Sequence, residues 1–150
     1  MPACDWKLLT SILITLFAIG CDRDSEGPEL AVVNGTIKYQ GDPLENAMVL
    51  FLPDTPGDPS ASATTDASGR YRLQSATSGN GAIVGRYRVT VTARGPDKVL
   101  PEGQSLSGLP GGNTEPGEPL IPSKYFLPDT SGLIGLVESG KNTIDFELTK

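Results

Sequence analysis

The chain has 150 residues, 37% of them hydrophobic and 20% charged, so it can bury one core and is short for two. Its 12 Lys+Arg against 18 Asp+Glu leave a net charge of −6, which argues against a protein that coats duplex nucleic acid by neutralising phosphates. There is no histidine, and this excludes histidine triads, histidine zinc sites and imidazole acid–base chemistry together.

Leu8 to Ile19 form an uncharged apolar run. A bilayer span needs about 20 such residues, so the run has the length of a signal-peptide core instead. It ends in Ala18-Ile19-Gly20-Cys21, a tetrapeptide that resembles the bacterial lipobox, with Ala18 standing where that motif has Leu. The resemblance implies a diacylglyceryl group on the Cys21 thiol and cleavage before Cys21. Residues 1–20 are then a signal peptide and lie outside the fold. Cys4 leaves with them, so Cys21 has no disulfide partner: an exported free thiol is a liability, whereas a lipidated one is an anchor. Residues 21–29 are acidic and broken by Gly27-Pro28, the composition of a flexible tether.

From Leu30 the pattern has period two: Val33, Gly35, Ile37 and Tyr39 alternate with polar residues, as in a half-buried strand. Gln40-Gly41-Asp42-Pro43 reads as a turn. Ala47 to Leu52 is apolar on both faces and predicts a central strand. A short strand at Ser62–Thr65 meets a hairpin turn at Asp66-Ala67-Ser68-Gly69, and Arg70 to Leu73 alternates again with Tyr71 and Leu73 inward. Gly85 to Thr92 is the clearest strand, placing Tyr87, Val89 and Val91 on one face. Residues 95–122 carry 6 Gly and 6 Pro and no periodicity, which predicts a disordered insert. Leu133–Val137 predicts a strand, Ser139 to Asn142 a turn, and Thr143–Leu148 a last strand with Ile144, Phe146 and Leu148 inward. No stretch of ten residues after the leader has helical periodicity. The expected fold is all-β, an antiparallel Greek-key β-sandwich of about seven strands.

Val33 to Phe51 resembles the opening hairpin of the carboxypeptidase-regulatory-like family, V-x-G-x-V-x-x-x-G-x-P-L-x-x-A-x-V-x-F. Thr65 to Leu73 is similar to that family's T-D-x-x-G-x-Y-x-L element, and Gly85 to Val91 to its G-x-Y-x-V-x-V strand. The close resembles small exported lipoproteins of planctomycete type, at Ile121 to Tyr125, Thr130 to Leu133 and Gly140 to Leu148. The resemblance covers about residues 30–150 apart from the insert. It implies a transthyretin-like sandwich serving as a non-catalytic accessory or structural module.

Catalytic chemistry is sparse in this chain. The transthyretin-like fold also hosts a ureide hydrolase that needs histidines and a C-terminal Tyr-Arg-Gly-Ser, and this chain has neither. No G-x-S-x-G elbow, phosphate-binding loop or dinucleotide fingerprint occurs. Asp54, Asp58 and Asp66 do not form a calcium-loop run, and turn formation accounts for them better. No cofactor and no metal are expected. Arg70, Arg72, Arg86 and Arg88 project from the solvent face of two strands. Either they form a patch for an anionic polymer, or they pair with outward acids such as Asp145 and Glu147. The expectation is a lipid-anchored module of the cell envelope, exported and held by Cys21, with a structural or interaction role. Its partners would be the membrane and an envelope protein or polysaccharide, and not nucleic acid. The alternative is a carbohydrate- or anionic-polymer-binding module.

Overall fold

A computed structural model describes residues 29–77, 79–99 and 114–150. The expected signal peptide, the lipobox-like residues Ala18, Ile19 and Gly20, Cys21 and almost all of the expected tether lie outside the described residues. Two sheets face each other around one core, an all-β sandwich.

The first sheet is built on β1 (Leu30–Tyr39). One edge of β1 pairs in turn with β8 (Ala82–Ile83), β5 (Arg70–Arg72) and β2 (Asp42–Pro43), all antiparallel. The other edge pairs with β13 (Lys141–Thr143) and β14 (Phe146–Leu148). The second sheet runs in the order β12 (Leu133–Val137), β9 (Gly85–Thr92), β3 (Met48–Pro53), β4 (Ala61–Thr64), β6 (Gln74–Ser75), β7 (Gly79–Asn80). The apolar run at 47–52 is central, as its two-sided hydrophobicity predicts. The turn expected at 40–43 forms at Gln40 and Gly41, which take positive φ, 54° and 91°, the two-residue geometry whose twist suits a hairpin, while Asp42–Pro43 already belong to β2.

Phe51 occupies the centre of the core. Its ring lies 5.8 Å from Tyr87, 6.2 Å from Tyr71 and 6.2 Å from Phe146, so both sheets meet on one aromatic cluster. Val33, Ile37, Val49, Leu73, Val89 and Val91 fill the space around it with no solvent exposure. Thr65, buried in a connecting turn, donates to the Leu44 carbonyl (2.6 Å) and accepts from the Ala47 amide (2.8 Å). Its hydroxyl is therefore satisfied at no cost to the core.

The structure departs from the sequence pattern in three places. The last strand is split into β13 and β14 and runs parallel to β1, so the fold is not antiparallel throughout. Ile144 and Phe146 are half-buried there, and Leu148 is fully buried. The hairpin expected around Asp66–Gly69 has its turn, with Gly69 at φ 71°, yet its arms separate: β4 pairs with β3 and β5 with β1. The ends of the Gly/Pro-rich insert are ordered, and its residues 100–113 lie outside the described residues. β10 (Lys98–Val99) pairs with β11 (Thr114–Glu115), the Gly95 amide donates to the Glu118 carbonyl (2.9 Å), and Ile121 is buried at 3% exposure. Composition hid this ribbon because two-residue strands carry no readable period. A 3₁₀ turn at Ser123–Phe126 and a helical turn at Pro128–Ser131 follow, the first docking Tyr125, whose hydroxyl donates to the Thr149 carbonyl (3.1 Å).

The split in the last strand has a physical origin at Gly35. The Ile144 amide donates to the Asn34 carbonyl at 2.9 Å, and an evenly spaced parallel ladder would next join Thr36 N–H to the Ile144 carbonyl. Instead the Thr36 amide donates to Asp145 Oδ1 at 2.7 Å. The Ile144 carbonyl swings over Gly35 and accepts the Tyr71 hydroxyl at 2.6 Å. A Cβ on Gly35 would stand 1.8 Å from that oxygen and 2.8 Å from the Tyr71 ring. Gly35→Ala should therefore cost at least about 3 kcal/mol, beyond the ordinary range for overpacking, or abolish the cooperative transition in urea.

Tyr71→Phe leaves the Ile144 carbonyl unpartnered and should cost about 1–3 kcal/mol in the same measurement. Burial, reinforced by the Asp145 charge, pushes the Tyr71 hydroxyl well above the usual tyrosine value of 10. Below pH 10 the hydroxyl is protonated in both folded and unfolded chains, and its stabilisation is complete. Above it the unfolded chain ionises first, so that stabilisation is lost as pH rises. The difference in urea midpoint between wild type and Tyr71→Phe should shrink on going from neutral pH to above about pH 10.

Candidate functional site

The separation of β4 from β5 leaves an opening between the arms of one hairpin. At its far end the arms rejoin, with Ser62 opposite Gln74 in the β4–β6 ladder, and at its near end the Asp66 turn closes it. Between these points β4 belongs to one sheet and β5 to the other. The result is a groove of about 830 Å³. Alternation on β5 and β6 directs Arg70, Arg72 and Gln74 outward along one wall, while Ser62 and Thr64 project from β4 and Met48 lies exposed beyond them.

Asp66 is the acid of this lining. Its Oδ1 accepts the Ser68 amide (2.8 Å) and the Arg70 amide (3.0 Å), which turns the carboxylate into the loop. Arg70 and Arg72 have no ion pair among the described residues. A second hollow, about 220 Å³, lies beside Lys38, Asp145 and Glu147 on the other edge of the first sheet.

The four strand arginines do not form one patch. Arg70 and Arg72 lie on β5 in the first sheet, Arg86 and Arg88 on β9 in the second. Arg86 and Arg88 are paired, though not with Asp145 or Glu147. Asp54 lies 3.6 Å from Arg86 Nε and 3.3 Å from Arg88 Nε, and Asp129 lies 2.8 Å from Arg88 Nη1. Asp54 is held there by its own amide, which donates to the Arg86 carbonyl at 3.0 Å. Asp145, expected as a partner for arginine, instead caps the Thr36 amide. Arg94 is also engaged, 5.3 Å over the Phe126 ring. No group of three acidic or cysteine side chains converges on a metal-sized cluster among the described residues.

No family model matches the chain. No curated protein matches it either. Among solved structures, a DUF3823 family protein from Parabacteroides merdae is similar at a TM-score of 0.42 and 15% identity over 81% of this chain. A 9R-lipoxygenase from Cyanothece follows at 0.40 and 13%, and a chlorocatechol 1,2-dioxygenase from Pseudomonas putida at 0.38 and 14%, over 81% and 85% of the chain. The chain spans 47%, 16% and 62% of the lengths of these three proteins.

Sequence reading named Arg70 and Arg72 but not Ser62, Thr64, Gln74 or Met48, because nothing local says that a hairpin will divide between two sheets. The Arg86 and Arg88 pairs join side chains that are 63% and 43% exposed to carboxylates 39% and 84% exposed. Exposed pairs of this kind contribute little. Replacing both arginines by Gln should therefore shift the urea-derived stability by less than about 1 kcal/mol.

Proposed function

We propose that the chain is a non-catalytic, lipid-anchored module of the bacterial cell envelope, of carboxypeptidase-regulatory-like type, whose role is structural or one of interaction. The observation that carries this reading is Ala18-Ile19-Gly20-Cys21 at the end of an apolar run too short to span a bilayer. Behind it comes an acidic, Gly-Pro-broken stretch and then a cysteine-free domain, so the thiol has an anchor role and no disulfide role.

The non-catalytic assignment rests on composition and placement. Histidine is lacking, and the buried tyrosines serve the backbone: Tyr71 bonds the Ile144 carbonyl and Tyr87 the Ile83 carbonyl. Burial, with Asp58 nearby, raises Tyr87 above the usual tyrosine value, so its hydroxyl stays a hydrogen-bond donor further into the alkaline range than a free tyrosine would.

A single acyl chain holds a protein on a membrane only marginally, whereas two or three, at ~0.8 kcal/mol per buried CH₂, hold it stably. Cys21→Ser should move the full chain from the membrane pellet to the soluble fraction, and wild type should incorporate labelled palmitate. Unchanged pelleting of the variant, or wild type that takes up no palmitate, would contradict the assignment.

A further inference from the structure

We propose that the groove in the divided hairpin binds an acidic oligosaccharide, a glycan bearing uronate carboxylates. This rests on the envelope reading above and gives its interaction role a ligand class. Three observations converge on it. Of the described arginines, Arg86, Arg88 and Arg94 are engaged by Asp54, Asp129 and Phe126, while Arg70 and Arg72 have no ion pair among the described residues. These two face one groove, two residues apart on one strand face and so about 7 Å apart, a spacing that lets each guanidinium take its own carboxylate.

The second observation is the rest of the wall. Ser62, Thr64, Thr143, Asn34 and Gln74 supply hydroxyls and amides that match the hydroxyls of a sugar ring. The third is Met48, 58% exposed at the groove, an uncovered apolar surface suited to the C–H face of such a ring. An extended peptide laid along β5 would need pockets for alternate side chains, and the open side chains of this wall, Met48 and the half-buried Ala63 aside, are polar. The Asp66 carboxylate is the one acid in the lining, and its Oδ1 is already held by the Ser68 and Arg70 amides.

The test uses the full chain purified in detergent and titrated calorimetrically with an oligogalacturonate. Binding is expected, weakening as salt rises. Arg70→Gln and Arg72→Gln should each reduce affinity about tenfold or more, and Arg72→Lys should lose part of that by keeping the charge without the fork. The Arg86→Gln/Arg88→Gln double variant removes two charges from the other sheet, one more than either single variant, and should leave affinity within about twofold. Unchanged urea midpoints establish that each variant is folded.

The proposal is overturned if no oligogalacturonate binding is detected, or if the Arg86/Arg88 variant loses as much affinity as the Arg70 and Arg72 variants. It is equally overturned if polyglutamate or inorganic phosphate binds more tightly than the glycan. Anchoring is read separately by fractionation of Cys21→Ser, so failure of the groove and failure of the anchor give different results.

Discussion

The carbonyl of Ile144 leaves its strand ladder and points across the backbone of Gly35, where the Tyr71 hydroxyl meets it at 2.6 Å. Most of the first sheet depends on that displacement. Because Gly35 has no Cβ, the closing segment approaches β1 closely enough to pair with it both before and after the interruption, at Asn34 with Thr143 and at Ile37 with Phe146. The displaced carbonyl deprives Thr36 N–H of its partner, and the Asp145 side chain replaces it. Two side chains thus satisfy what one peptide gave up, and neither the Ile144 carbonyl nor the Thr36 amide is stranded.

The same bond reaches across β1 to the opposite edge. Tyr71 stands directly across from Gly35 in the β1–β5 pairing, and its ring lies over the space that a side chain at 35 would fill. This commits β5 to the first sheet while β4, its hairpin partner in sequence, stays with β3 in the second. A hairpin whose arms are claimed by different sheets must open between its closed ends. The groove is the consequence, and its guanidinium wall is the outward face of the strand whose inward residue is Tyr71. Scaffold and candidate site are two faces of one three-residue strand.

Period-two patterning exposed the core residues well, since Val33, Ile37, Val49, Phe51, Tyr71, Leu73, Tyr87, Val89 and Val91 are all buried. Strand alternation depends only on which face is apolar, and that is local. What alternation does not encode is the neighbour. Ile144, Asp145 and Phe146 read as a continuous strand because the interruption is caused by Gly35, far away in the chain. Arg86 and Arg88 read as solvent-facing, and they are, but their acids arrive from the loop at Asp54 and the helical turn at Asp129, neither of which has a strand pattern. The ribbon at Lys98–Val99 and Thr114–Glu115 is too short for any period to register. The lipobox resemblance, by contrast, is linear information and needs no fold to be read.

The claim that these residues act as one unit is tested most directly by a double-mutant cycle between Tyr71→Phe and Asp145→Ala, with stability measured by urea unfolding at neutral pH. Tyr71 and Asp145 hold the two consequences of one displaced peptide, the freed carbonyl and the orphaned amide. Removing either should loosen the geometry that the other satisfies. The cycle should give a coupling energy of at least about 0.5 kcal/mol, within the range for residues sharing a network. Strict additivity of the two losses would mean that the Tyr71 and Asp145 bonds form independently, and would contradict the account.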